Sequence, residues 1–345
     1  MLDDLKLIHE RDTADALGIA EKQGKQLLRD LPLLGKTSFT DIRNVVYAGM
    51  GGSALAASFI ATWPRLAIPF EVIRDYTLPE YVGKQTLVIV ASYSGNTEEA
   101  LSALADAAAR QAQIVVIAGG GKLKTAAETY QYPWIELPEA AQPRYAVLYN
   151  FRALLEILAS AQLLDRAKVF AELEAAAPFL AKATAGWRAD VPTANNPAKQ
   201  LARELMGKSL VVYGGPKMWP AAYKWKISCN ENAKHIAWAG QYPEFNHNEF
   251  LGWSKQPVDK PYVVIDLRSS FEHERVQKRF EVSARLLSGM RPQPHVVEAQ
   301  GDTVLEQLLW TIAYGDFVTL YLALLNGLNP APVDLIEKFK KELNS

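Results

Sequence analysis

The sequence predicts an α/β protein with two lobes of the same general plan, each built on a mainly parallel sheet covered by helices. Three observations predict it. The apolar runs at 45–48, 87–91 and 114–118 are continuous rather than alternating, as in strands buried on both faces. Segments with helical spacing of apolar residues separate these runs, which is the βαβ pattern of a parallel sheet. The alternation returns more loosely after residue 197, without a strict sequence repeat.

In chain order, residues 3–30 carry apolar side chains at helical spacing. A strand at 45–48 runs into the glycine turn Gly49-Met50-Gly51-Gly52-Ser53, and a helix follows over 54–62. Strands are expected at 70–74 and 87–91, then a helix over 97–110 and a strand at 114–118. The run Gly119-Gly120-Gly121 leads into a short helix, and a fifth strand is expected at 134–137. From 145 to 187 the chain reads as one or two long helices rich in Ala and Leu. The turn-like Pro192-Thr193-Ala194-Asn195-Asn196-Pro197 marks a boundary. The expected organisation is an N-terminal domain over 1–165 with its leading helix, a helical linker over 166–197 and a C-terminal domain over 198–345. In the second lobe, strands are expected at 210–213 (ending in Gly214-Gly215), 262–267 and 295–298, with a helix over 303–326. Asn329-Pro330-Ala331-Pro332 punctuates the chain before a last helix over 333–343.

Bulk properties exclude several function classes. The 345 residues carry a net charge of −1, so nothing electrostatic argues for nucleic acid or an anionic membrane as partner. A single cysteine, Cys229, rules out an internal disulfide, and no Cys/His cluster suggests a metal. The start, Met1-Leu2-Asp3-Asp4-Leu5-Lys6, lacks the basic and apolar regions of a signal peptide. No uninterrupted apolar run approaches the ~18 residues of a membrane span, and 317–325 reads as a buried helix. A cytoplasmic location is the default expectation.

The most informative stretch is 86–99. A buried run opens directly into the hydroxyls of Ser92, Ser94 and Thr97, and a helix begins at once. Helix N-terminal N–H groups are unpaired and carry the positive end of the dipole. Three short hydroxyls beside them make a cradle for a small dianion such as a sugar phosphate. Simple helix capping needs one such residue, not three. The earlier turn, Gly49 to Ala54, fits the loose G-x-G-x-x-[G/A] dinucleotide pattern, with Glu71 or Asp75 available downstream. Ser53 in that turn, followed by a second hydroxyl loop, suits one compact sugar phosphate better than an extended dinucleotide.

Polar residues also concentrate in Asn230-Glu231-Asn232-Ala233-Lys234 and in Glu244-Phe245-Asn246-His247-Asn248-Glu249. Glu231 and His247 form a plausible acid/base set, although each alone has an ordinary structural explanation. Arg144, after Gln142-Pro143, is a cation able to stabilise an anionic intermediate, or a plain surface charge. On the last helix, at 100° per residue, Val333, Ile336, Lys340 and Leu343 share a face, which places Lys340 within an apolar stripe while Lys338 and Lys341 point elsewhere.

Together, Gly49-Met-Gly-Gly-Ser53, Ser92-Tyr-Ser-Gly-Asn-Thr-Glu98, Gln142-Pro-Arg144, Asn230-Glu-Asn-Ala-Lys234, Glu244-Phe-Asn-His-Asn-Glu249 and Asn329-Pro-Ala-Pro-Val333 resemble the bifunctional phosphoglucose/phosphomannose isomerase family. The resemblance runs from about residue 45 to 343 in the family's order. It implies two sugar-isomerase (SIS) domains of α/β/α sandwich type plus a C-terminal helix. It further implies that Gly52, Ser53, Ser92, Ser94 and Thr97 hold the 6-phosphate and nearby sugar, that Arg144 stabilises an enediolate, and that Glu231 shuttles a proton between C1 and C2. His247 would assist ring opening with a C-terminal lysine, assigned to Lys340 on the helical-wheel argument with Lys338 second. A homodimer is implied, and neither metal nor cofactor. One departure stands out: related members tend to have Thr between the tail prolines, where this chain has Ala331.

The expected activity is therefore an aldose–ketose isomerisation linking glucose 6-phosphate, and mannose 6-phosphate with it, to fructose 6-phosphate. A non-catalytic SIS-domain regulator that binds sugar phosphate is the alternative. The Glu231–His247 pair separates the two, since a pure binder needs no acid or base. A nicotinamide dehydrogenase, from the first glycine turn, is a third reading.

Overall fold

The continuous apolar runs become strands with both faces covered. Every residue from Val45 to Gly49 and from Thr86 to Ser92 is buried, and only the entry residue Asn44 of the first strand is partly open. The computed structural model describes residues 1–255 and 259–343. The elements of the first half are α1 (Leu5–Arg11), α2 (Ala16–Glu21), α3 (Gln23–Leu27), β1 (Asn44–Gly49), α4 (Gly51–Ser58), β2 (Phe70–Ile73), β3 (Thr86–Ser92), α5 (Glu98–Ala109), β4 (Gln113–Ala118), α6 (Gly121–Tyr130), β5 (Trp134–Glu136), α7 (Val147–Ser160) and α8 (Arg166–Ala185). Those of the second are α9 (Pro197–Leu205), β6 (Ser209–Gly214), α10 (Trp219–Ala233), β7 (Ala237–Gln241), α11 (Glu249–Gly252), β8 (Tyr262–Arg268), α12 (Glu274–Leu286), β9 (His295–Glu298), α13 (Val304–Leu325) and α14 (Asp334–Leu343).

The chain divides into two units, one of residues 23–178 and one of residues 1–22 with 179–345. In the first, five parallel strands take the order β2-β1-β3-β4-β5. The order reverses direction between β1 and β3, where Gly49 pairs with Ala91. In doubly wound sheets, ligands bind beyond the carboxyl ends of strands flanking such a reversal. The turn after β1 and the hydroxyl loop after β3 therefore open side by side.

The second unit has four parallel strands in the order β7-β6-β8-β9, with the equivalent reversal between β6 and β8. Strand β7 was not expected from sequence. Ala-Trp-Ala-Gly-Gln is not a continuous apolar run, and as an edge strand only its first residue is buried. Helix α13 packs against α10 and α9. It is long and apolar enough to cross a membrane by length and composition, yet 89% of its apolar window is buried inside the protein. Asp316, within it, forms an ion pair with Lys224 of α10.

Three sequence expectations are corrected. The leading segment 3–30 is three short helices, because the Asp12 carboxylate accepts from the N–H groups of Ala16 and Leu17 and restarts the chain as α2. Residues 1–22 belong with the C-terminal half rather than with 23–165. Leu17 and Ala20 are buried, α2 packs on α13, Arg11 donates to the Leu324 carbonyl, and Thr184 Oγ1 donates to the Glu21 carbonyl. The helix expected over 54–62 starts at Gly51, so Gly51, Gly52 and Ser53 form its first turn, and it tightens to a 3₁₀ turn at Phe59–Ala61.

Candidate functional site

Within residues 23–178 the site is built on the reversal between β1 and β3. Ser53 is buried, and its Oγ accepts a hydrogen bond from the Tyr93 N–H at 3.2 Å. A hydroxyl has one donor and two acceptor sites, so Ser53 keeps its proton for a further acceptor. Thr97 stands at the N-cap of α5, but its hydroxyl makes no capping bond. It lies 2.8 Å from Ser92 Oγ, which is 3.4 Å from Ser94 Oγ and also accepts from the Gly95 N–H. Ser92 is buried and orders the loop, whereas Ser94 is exposed and Thr97 half-buried. The capping explanation of these hydroxyls is thus set aside.

The glycine run after β4 supports this loop. Gly95 and Gly121 both adopt positive φ, and a Cβ on Gly95 would fall 1.8 Å from the Gly120 carbonyl oxygen. Asn96 Oδ1 accepts from the Lys122 N–H and the Gly95 carbonyl accepts from the Leu123 N–H. The first turn of α6 is therefore satisfied by the hydroxyl loop itself.

Arg144 sits in a 3₁₀ turn, Pro143–Tyr145, and is only 2% exposed, which corrects its reading as a surface charge. A Cβ on Gly52 would lie 3.0 Å from the Pro143 carbonyl oxygen and 3.2 Å from Arg144 Cα. Gly52 thus lets the arginine turn close onto the start of α4. The guanidinium stacks over the Tyr145 ring at 4.6 Å and donates to the Tyr145 hydroxyl at 3.3 Å. A buried cation is retained at the expense of desolvation and attracts any anion brought beside it.

In the second unit, Glu231 is half-buried near the C-terminal end of α10. The rotation of α10 is fixed along α13 by buried polar contacts. Lys224 Nζ donates to Ser228 Oγ at 2.6 Å and to Asp316, Trp225 Nε1 donates to the Thr311 carbonyl at 2.8 Å, and Asn232 Nδ2 donates to Thr319 Oγ1 at 3.1 Å. Gly315 leaves room for the Trp225 indole, since a Cβ there would lie 2.2 Å from Nε1.

His247 is exposed at the end of a 3₁₀ turn, Glu244–His247. Its neighbours anchor it. Phe245 is buried against Tyr213 and Tyr242, with ring centroids 4.6 Å and 4.9 Å apart. Asn246 accepts from Arg279 at 3.1 Å and donates to Ser283 at 2.8 Å. Sequence reasoning missed these anchors, because nothing in the local pattern links 245–246 to α12.

At the second sheet reversal, the turn after β6 is filled from within. Glu272 Oε1 accepts from the Lys217 and Met218 N–H groups at 2.7 Å and 3.3 Å. Burial raises its carboxyl pKa while those amides oppose the shift.

The stripe assigned to Lys340 faces outward in the chain. No residue of α14 is buried, and the stripe residues Ile336 and Leu343 are 42% and 57% exposed. Lys340 Nζ lies 3.0 Å from Glu337 Oε1. Ala331, in place of the Thr of related sequences, is buried. Among the described residues no group of His, Cys, Asp and Glu side chains is arranged to hold a metal ion.

Comparison with known proteins agrees with this architecture. Residues 38–161 match the SIS domain, and residues 194–343 match the bacterial phospho-glucose isomerase C-terminal SIS domain. The bifunctional phosphoglucose/phosphomannose isomerase of Caldicellulosiruptor bescii is 35% identical over 88% of this chain and 90% of its own length. That of Aquifex aeolicus is 32% identical over 88% of this chain and 91% of its own. The crystal structure of a glucose-6-phosphate isomerase like protein from Thermus thermophilus superposes with a TM-score of 0.68 at 18% identity, covering 99% of this chain and 98% of the other, which shows the shared fold.

Proposed function

We propose how individual residues share the work of a chain that belongs to the bifunctional phosphoglucose/phosphomannose isomerase family. The protein is a sugar-phosphate aldose–ketose isomerase, interconverting glucose 6-phosphate and mannose 6-phosphate with fructose 6-phosphate. Ser53, Ser94 and Thr97 donate to the 6-phosphate, while Ser92 holds the loop that presents them and Gly52 admits the backbone. Binding this remote group supplies orienting energy for the reaction at C1 and C2. Glu231 removes the proton from C1 of the ketose, leaving a cis-enediolate, and returns it to C2, while the hydroxyl proton passes from O1 to O2 so that C1 becomes the aldehyde carbon. The Arg144 guanidinium stabilises the enediolate oxygens. His247 and Lys340, with Lys338 second, move the proton that opens the ring.

The observation supporting the cradle is the hydroxyl cluster itself. Thr97 occupies a cap position without capping, and its hydroxyl turns to Ser92 instead. The isomerase reading is preferred to the regulator alternative because the relatives compared above are isomerases by name. The dinucleotide reading of the first glycine turn is dropped on the same ground. A cytoplasmic homodimer is part of the proposal, supported by the outward apolar residues of α14, and sedimentation at micromolar concentration tests it.

The experiment is a coupled assay from fructose 6-phosphate that reads both epimeric aldoses. Glu231→Gln is expected to lower kcat by about 10² to 10⁴, the usual contribution of a general base, with KM little changed. Near-normal turnover in that variant would remove Glu231 from the proton transfer.

A further inference from the structure

Lys234 closes the motif that contains Glu231, yet the isomerisation assigns it nothing. It follows α10 directly and adopts a left-handed conformation, φ 51°, as the helix C-cap, with its N–H donated to the Cys229 carbonyl. This turn sends the side chain back across the end of α10. Its Nζ lies 3.4 Å from the Asn232 carbonyl oxygen, 3.2 Å from that of Asn329 and 3.1 Å from that of Pro330. An ammonium has three donors and no acceptor, so three carbonyls match it. One of them is a terminal carbonyl of α10, where a cation is favoured by the helix dipole.

The other two carbonyls belong to the Asn329-Pro330-Ala331-Pro332 segment, which connects α13 to α14. The same segment is held from its other side. Asn329 Nδ2 donates to Thr13 Oγ1 at 2.8 Å, and Asn329 Oδ1 accepts from the Ala331 N–H at 3.0 Å. Asn326 Nδ2 reaches the Ala233 carbonyl at 3.4 Å. The end of α10 and the start of the tail are therefore fastened together at 232–234, immediately after Glu231.

We propose that Lys234 is a positioning residue that locks the tail leading to Lys340 onto the helix end that carries Glu231. This rests on the isomerase reading above. Its ammonium touches no reacting atom; it acts by fixing the geometry of the groups on either side. Misplacing a catalytic group by about 1 Å costs roughly 10²-fold in rate. The phosphate-binding hydroxyls belong to the loops of residues 23–178 and are not part of this fastening, so substrate affinity is expected to stay as it is.

The test compares Lys234→Met, which keeps the stem and removes the donors, with Lys234→Arg, which restores cationic donors. Steady-state kinetics from fructose 6-phosphate are paired with amide hydrogen exchange of residues 326–343 in the full chain. The expected result for Lys234→Met is a kcat lower by about tenfold or more, KM within about twofold of the parent, and faster exchange in the tail. Lys234→Arg should recover most of kcat and slow the exchange. Unchanged kcat, a matching rise in KM, unaltered exchange, or an Arg variant no better than Met each overturns the proposal. A parent chain inactive on fructose 6-phosphate overturns instead the isomerase reading, while the exchange comparison still decides whether Lys234 holds the tail.

Discussion

The Oγ of Ser53 accepts the backbone N–H of Tyr93 at 3.2 Å and so ties the turn after β1 to the hydroxyl loop after β3. One side chain thus orients two loops at the reversal of the sheet. Replacing Ser94 and Thr97 together by Ala is expected to raise KM for fructose 6-phosphate by about 10²-fold or more, because two hydrogen bonds to a charged group are lost and each contributes ~1.5–3 kcal/mol. Ser53→Ala adds a structural cost, since it strands the Tyr93 N–H. Initial-rate kinetics with urea unfolding of each variant check both effects, and an unchanged KM in the double variant would contradict the phosphate cradle.

The glycine run after β4 makes a paired prediction. Gly121 has φ +66°, and a Cβ there would lie 2.4 Å from the Ser94 carbonyl oxygen. Gly121→Ala should destabilise the protein by about 1–3 kcal/mol and raise KM through the displaced loop. Gly120 is extended, with φ 160°, and an added Cβ meets nothing within 4 Å. Gly120→Ala is expected to be nearly silent in both thermal melting and kinetics.

The Lys224–Asp316 pair is buried on both sides. Lys224→Met alone should cost about 3–5 kcal/mol, as it leaves a carboxylate without its cation. The double change Lys224→Met with Asp316→Leu should recover most of that loss. Equal destabilisation of single and double variants in urea titrations would mean that the pair is not coupled.

Asp266 and Arg291 form a second buried pair, with Nη2 3.8 Å from Oδ2. Burial pushes the Asp266 carboxyl up to about 6, and the neighbouring guanidinium of Arg291 opposes the shift. A folded-state value above the unfolded one means that the native state binds the proton more tightly, so this group's contribution falls as pH rises from about 4 to 6. Removing Arg291 raises the carboxyl further. Arg291→Leu is therefore expected to be more destabilised at pH 8, where the carboxylate must ionise in the interior, than at pH 5. Unfolding titrations at both pH values check the sign.

The parallel core was legible because burial on both faces leaves continuous apolar runs, and β1, β3 and β4 fall within a residue or two of expectation. The hydroxyl loop was legible because its residue types have few structural uses in that number. Less could be read where partners lie far apart in sequence. Arg144 looks like any surface arginine until Gly52 is seen to admit its turn, and Lys234 looks solvated until the tail carbonyls are placed around it. On α14 the helical wheel gives the face that carries Lys340 but not what covers that face.

The pairing of α2 with α13 has a consequence for biosynthesis. Leu17 and Ala20 leave the ribosome long before residue 304, the start of the helix they pack against. At about 5–20 residues per second, the opening segment waits on the order of 15–60 s while all of 23–178 is made and free to fold. A chain halted before α13 would therefore carry a finished middle and an apolar leading end without the helix that buries it, the kind of transiently exposed surface that invites aggregation.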